Sequence, residues 1–193
     1  MNKADFQPIL SGERVTLRPI HDGDWEDMFA VASNPKVWAD HVKRDRYKED
    51  IFRPFFESAL SSGSALTIIC NKTQKIIGTS RYHEYKPDLS EIEIGWTFIA
   101  HEYWGGGYNA EAKFLMLNHI FKVLDVVVFW VAQENIRSQK AMEKIGSVLR
   151  DGQYSKIDNG EEIPYVIFEI RKKDFPAGSL RRIRPTSLIG EIL

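Results

Sequence analysis

Three glycines, Gly105, Gly106 and Gly107, separate the aromatic pair Tyr103 and Trp104 from a helix-like stretch in "YWGGGYNAEAKF". Bare backbone at the mouth of a helix lets main-chain N–H groups converge on one point, where the helix dipole adds partial positive charge. Glycine also permits close approach and the positive φ angles that side chains resist. The chemistry this suits is phosphate binding, although a loop that is merely tight or flexible uses the same residues. The stretch has neither the Lys-Ser/Thr of a Walker loop nor the G-x-G-x-x-G spacing and downstream acid of a dinucleotide fold. Two carboxylates precede it in "EIEIGWTFIA". Strand alternation puts Glu91, Glu93, Gly95 and Thr97 on one face and Ile92, Ile94, Trp96 and Phe98 on the other. Either carboxylate can act as a general base or stand as an ordinary ion-paired strand residue. Further on, "NIRSQKAMEKIG" sets Ser138 one turn beyond Asn135, so both side chains can share a helix face. His21, His41, His83, His101 and His119 show no metal-ligand spacing, and no metal is expected.

The elements that must hold these residues can be read from periodicity. "RVTLRPI" reads as a first strand, and "DGDWEDMFAVAS" as a helix with Asp22 or Asp24 as N-cap. "KEDIFRPFFESALSSG" reads as a second helix, with Pro54 either kinking it or sitting in its first turn. "ALTIIC", "KIIGTSRYHEY" and "SEIEIGWTFIA" read as three successive strands joined by turns at "NKTQ" and "KPDLS". After the glycine loop, "NAEAKFLMLNHIF" is apolar on almost every face, as a buried helix is. "VVVFWVA" is a continuous β-branched and aromatic run, as in a strand covered on both sides. Strand, loop, helix and buried strand make one parallel, right-handed βαβ crossover. "IRSQKAMEKIG" adds a short helix ended by Gly146. "SVLRDGQYSKI" and "IPYVIFEIRKK" then flank the hairpin signal "DNGEE". The expected class is α+β: a mixed, mostly antiparallel sheet of about seven strands with one parallel crossover and flanking helices. Residues 1–175 form a single domain on this reading, and 176–193 a tail carrying the small basic patch "SLRRIRP".

The motifs resemble those of the GNAT N-acetyltransferases, in particular the RimJ/RimL-like branch. Trp104, Gly105, Gly106, Gly107, Tyr108, Glu111 and Ala112 match its W-G-x-G-Y-x-x-E-A pattern. Asn135, Ser138, Glu143, Lys144 and Gly146 match its N-x-x-S-x-x-x-x-E-K-x-G, and "ERVTLRP" its opening strand. The resemblance runs from about Arg14 to Asp174. It implies a GNAT-like fold and acetyl-CoA as co-substrate, its pyrophosphate held by amides of Gly105, Gly106, Gly107, Tyr108, Asn109 and Ala110. Its pantetheine arm would pair with backbone at Phe98 and Ile99 between splayed strands, as an added strand does. Asn135 is implied as a further cofactor contact. Glu93 matches the branch's acidic position and is the implied base; Ser138 is the implied acid for the leaving thiolate, because Met142 stands where many relatives carry a tyrosine. Asn109 departs from the usual small residue.

The implied activity is acetyl transfer to a primary amine, such as a protein N-terminus, a polyamine or another small amine, by direct attack in a ternary complex. A GNAT fold that binds or senses acyl-CoA without turnover is the alternative. Trp25, Trp38, Tyr82 and Tyr85 are candidates to line the acceptor pocket, between helices spanning Asp22 to Gly63. Composition agrees. A net charge of -1 across 193 residues gives no general attraction to nucleic acid or membrane surfaces. The lone Cys70 excludes an internal disulfide and suits a reduced, cytoplasmic setting. The final hairpin is compatible with a homodimer.

Overall fold

The computed structural model describes residues 4–176 except Asn159. Its elements are β1 (Leu10–Ser11), β2 (Val15–Pro19), α1 (Trp25–Ala32), α2 (Glu49–Ser61), β3 (Ala65–Cys70), β4 (Ile76–Lys86) and β5 (Glu91–Ile99). They continue with α3 (Tyr108–Ile120), β6 (Val126–Ala132), α4 (Ile136–Lys144), β7 (Val148–Leu149), β8 (Tyr154–Asp158) and β9 (Glu161–Arg171). The strands form one sheet in the order β1-β2-β3-β4-β5-β6-β9-β7, with β8 also on β9. Among the described residues only β5 and β6 pair in parallel. This is the mixed α+β sheet expected. Its strands number nine because β1 and β7 are two-residue pieces, and because "SVLRDGQYSKI" divides into β7 and β8 around Gly152 at φ +135°.

Alternation explains the burial. Val15 and Leu17 of β2 are fully buried and join Leu66, Ile68, Ile92, Ile94 and Val127 beneath α3. On the opposite face, Met28 of α1 and Phe52, Phe55 and Phe56 of α2 pack against Ala65, Ile76 and Phe98. Pro54 lies in the second turn of α2, beyond the first turn, and the helix runs through it to Ser61. Asp24 occupies the N-cap position of α1 without capping it. Its carboxylate instead accepts two bonds from Arg18, at 2.8 and 2.6 Å, and one from Thr67 at 2.7 Å. The 176–193 tail lies outside the described residues except for Pro176. Among the described residues no helix is long and apolar enough to cross a membrane.

Two irregularities shape the site. Parallel pairing of β5 with β6 covers only Glu91↔Val126, Ile92↔Val127 and Glu93↔Val128. Beyond it β5 stays with β4 to Ile99, β6 stays with β9 to Ala132, and a wedge opens between them. Within β5, Gly95 and Phe98 are three residues apart, yet they face Arg81 and Thr79, two apart on β4; Trp96 takes φ +55°. This bulge adds one residue and reverses the alternation after it. Phe98 therefore sits in the α1/α2 core, away from Ile92 and Ile94, and Thr97 reaches the α3 side. The unbroken alternation expected across "EIEIGWTF" ends at Trp96.

Candidate functional site

The glycine loop is a donor cradle. A one-turn 3₁₀ segment, His101–Tyr103, leads from β5, and Gly107 forms the N-cap of α3 at φ +83° with no side-chain capping bond. Gly105 takes φ +76°, and a Cβ there would meet open space. The Glu111 N–H bonds to the Gly107 carbonyl at 2.9 Å. The N–H groups of Tyr108, Asn109 and Ala110, which precede it in the first turn, have no helical acceptor and remain available to an anion. Asn109 does not cap the helix; its Oδ1 is buried and without a hydrogen-bond partner among the described residues.

A cleft of about 840 Å³ runs from this loop along the wedge between β5 and β6. Of the sequence-predicted residues, Glu93, Phe98, Ile99, Gly105, Gly107, Tyr108, Asn109, Ala110, Asn135 and Ser138 line it. Gly106 is outside that lining, backed onto the Tyr108 ring, where a Cβ would come within 2.8 Å. The Ile99 carbonyl already accepts the Trp104 indole N–H at 2.8 Å. Asn135 caps α4 by accepting the Ser138 N–H at 3.0 Å, and Met142 is buried one turn further on.

The two strand carboxylates have different surroundings. Glu91 is ion-paired with Arg150 at 2.7 Å and Lys86 at 3.3 Å. Glu93 is buried, its Oε2 accepts no hydrogen bond, and the nearest ammonium is Lys156 at 3.8 Å. Burial pushes its pKa up to about 7; Lys156 opposes that rise and Glu84 adds to it. A carboxyl so poised can take a proton near neutral pH. The ligand atoms of His83, Glu84 and Glu93 lie within 4.8 Å of one another, a cluster able to hold a cation.

Several residues of the site were given no role by the sequence. Lys113 of α3, only 2% exposed, places its ammonium on Ser80 at 3.0 Å and Thr97 at 2.5 Å beneath the cleft. Burial lowers its pKa to about 7, with Glu93 pulling the other way. Glu111, also 2% exposed, accepts the N–H groups of Glu13 at 2.6 Å and Arg14 at 2.8 Å. It thereby ties the β1–β2 turn to the mouth of α3; it is the acid of the W-G-x-G-Y-x-x-E-A pattern, to which the resemblance attached no role. At the far end, the segment after residue 38 contributes His41 and Arg46, while β8 and β9 contribute Lys156 and Tyr165. Of the aromatics expected there, Trp38 lines the cleft. Trp25 stacks on Phe29 at 5.3 Å in the core, the Tyr82 hydroxyl donates to the Met116 carbonyl at 2.8 Å, and Tyr85 is exposed.

The acetyltransferase (GNAT) domain family matches residues 14–148. The chain is 26% identical over 181 residues to the "uncharacterized N-acetyltransferase YoaA" of Bacillus subtilis (strain 168), covering 86% of this chain and 97% of that protein. A GCN5-related N-acetyltransferase from Brucella melitensis superposes with a TM-score of 0.79 at 21% identity, covering 89% of this chain and 81% of the other. Spermidine N-acetyltransferase from Vibrio cholerae, solved with CoA and spermine, superposes with a TM-score of 0.65 at 18% identity, covering 84% and 98%.

Proposed function

The chain belongs to the acetyltransferase (GNAT) family and is an acetyl-CoA-dependent acyltransferase, and from that premise we propose that it acetylates a primary amine by direct attack in a ternary complex. The observation that carries this reading is the run of one cleft from the uncapped α3 N-terminus to the buried, hydrogen-bond-free oxygen of Glu93. The loop amides suit the coenzyme's pyrophosphate, and the unpaired edges of β5 and β6 suit its amide-bearing arm. Glu93 takes a proton from the acceptor ammonium, directly or through water. The freed nitrogen forms a bond to the thioester carbonyl carbon, and the C–S bond breaks. The amide nitrogen releases its remaining extra proton to water, the departing thiolate takes a proton by way of the Ser138 hydroxyl, which regains one from solvent, and Glu93 returns its proton to water. Asn135 holds the first turn of α4, and with it Ser138, against the cleft.

The motif set supports the RimJ/RimL-like branch, whose acceptors include protein N-termini and small amines; the spermidine-acetylating neighbour makes a polyamine a further candidate. One observation favours a binding-only reading: Met142, which cannot give up a proton, stands where a tyrosine acid is common in the family. Thiol release from acetyl-CoA with a panel of amines separates the two. Turnover that collapses in Glu93→Gln and falls in Ser138→Ala, with coenzyme A still raising the unfolding midpoint, supports transfer. Coenzyme binding without thiol release from any amine refutes it.

A further inference from the structure

The acceptor end of the cleft contains a cation that the chain itself leaves unneutralised. Lys43 is ion-paired with Asp158, Lys156 lies 3.8 Å from Glu93, and Arg137 lies 2.9 Å from Asp40. Among the described residues, no carboxylate pairs with Arg46. Aromatic faces hold its guanidinium instead: Cζ is 4.7 Å from the Phe55 ring centre, 5.5 Å from Trp38 and 5.9 Å from Trp96. Such stacking orients the guanidinium plane while leaving its edge donors free for a planar anion. Burial lowers its pKa only to about 10, so it remains charged at neutral pH.

His41 adds a second, independent sign. Its Nδ1 accepts the backbone N–H of Lys43 at 2.9 Å. Burial, reinforced by Arg46, Arg137 and Lys43, pushes its pKa down to about 3, so the ring is neutral. A neutral imidazole that accepts at Nδ1 carries its proton on Nε2. That Nε2–H faces Arg46 Nη1 at 3.5 Å. Two donors thus confront each other in the wall of the cleft with no acceptor between them, an arrangement that costs free energy until an acceptor arrives.

We propose that Arg46 and His41 form a carboxylate-binding subsite, and that the acceptor is a small amine that also bears a carboxylate. The carboxylate accepts from Arg46 and from His41 Nε2–H while the amine is presented to Glu93. The Trp96 ring lies 5.9 Å from the Arg46 guanidinium, on the strand that carries Glu93. A polyamine would bring a second positive charge beside an arginine that no carboxylate pairs with. This inference rests on the acyl-transfer reading and selects among its acceptors.

The test is initial-rate thiol release from acetyl-CoA with glycine, β-alanine, 4-aminobutyrate and 6-aminohexanoate, each beside its carboxamide, and with spermidine. The wild type is expected to prefer at least one amino carboxylate over its carboxamide by about tenfold or more in kcat/KM, as a charge-assisted bidentate bond allows. Arg46→Gln and His41→Phe should raise KM for that acceptor about tenfold or more and leave KM for acetyl-CoA unchanged; Arg46→Lys should rescue only in part. Equal use of acids and amides, a preference for spermidine, or an equal loss by Arg46→Gln for every acceptor would overturn the subsite while leaving acyl transfer standing. Silence with every amine, in protein that binds coenzyme A, would overturn acyl transfer and the subsite with it.

Discussion

Lys113 offers a test of the site that needs no substrate. Its ammonium is buried against two hydroxyls and an aromatic ring, with no carboxylate in contact among the described residues, and burial lowers its pKa from 10.5 to about 7. Between those two values the unfolded chain keeps a proton that the folded chain has released, so this group makes stability rise with pH. At about 1.4 kcal/mol per pH unit, the buried charge opposes folding by about 5 kcal/mol below pH 7, and that opposition fades toward pH 10.5. Lys113→Met keeps the volume and removes the charge. It also gives up the bonds to Ser80 and Thr97, which still bond each other at 2.8 Å, a loss of about 1–2 kcal/mol. The variant should therefore be about 3 kcal/mol more stable than the wild type at pH 6, and most of that advantage should be gone by pH 9. Urea unfolding of both proteins at pH 6, 7, 8 and 9 and fixed ionic strength reads this directly. Repeating the pair in a Glu93→Gln background removes any change that Lys113 causes in the Glu93 titration. A stability difference that does not vary with pH, or a variant less stable at pH 6, would refute the claim that a strained ammonium lies under the cleft.

Glu93 should set the acid limb of the rate profile. With its pKa near 7, wild-type kcat/KM should rise about tenfold per pH unit below 7 and level off above it, and Glu93→Gln should lose this limb along with about 10²–10⁴ in rate. Gly107→Ala forces a side chain onto φ +83° at the donor cradle; it should raise KM for acetyl-CoA and cost about 1–2 kcal/mol in urea unfolding. Glu111→Ala strands the N–H groups of Glu13 and Arg14, so it should lower stability by about 2–4 kcal/mol and weaken coenzyme binding, read by the shift in unfolding midpoint. Conserving the acceptor oxygen in Glu111→Gln should recover part of both effects.

The sequence revealed most where physics is local. The glycines at 105–107 announced a positive-φ helix mouth, Val126–Ala132 announced a doubly covered strand, and Gly146 announced a helix end, because each depends on a few adjacent residues. The acceptor end was hidden because His41 and Arg46 meet Lys156 and Tyr165 only through the sheet's long-range order. Lys113 was hidden differently. A lysine in a helix reads as solvated until the neighbouring strands are known to leave two hydroxyls beneath it. The same ignorance of partners made Asp22 and Asp24 equal candidates for a cap, when Arg18 and Thr67 had already claimed Asp24.

The bulge at Trp96 draws these strands of reasoning together. Strict alternation would have placed Trp96 beside Ile92 and Ile94 in the core under α3, and Phe98 with it. The inserted residue reverses that. Thr97 reaches Lys113, Phe98 fills the α1/α2 core, and Trp96 lies on the Arg46 side, 6.0 Å from Phe55 and 5.6 Å from His83. A bulge also bends its own strand and raises its twist. In β5 it lies just beyond Glu93, where pairing with β6 ends while each strand stays bound to its antiparallel neighbour. One extra residue thus stands at the opening of the wedge that would receive the coenzyme arm, and it turns an aromatic ring toward Arg46. Periodicity reports the average course of a strand, so the single residue that breaks it was the least visible feature of this sequence and the one that organises the site.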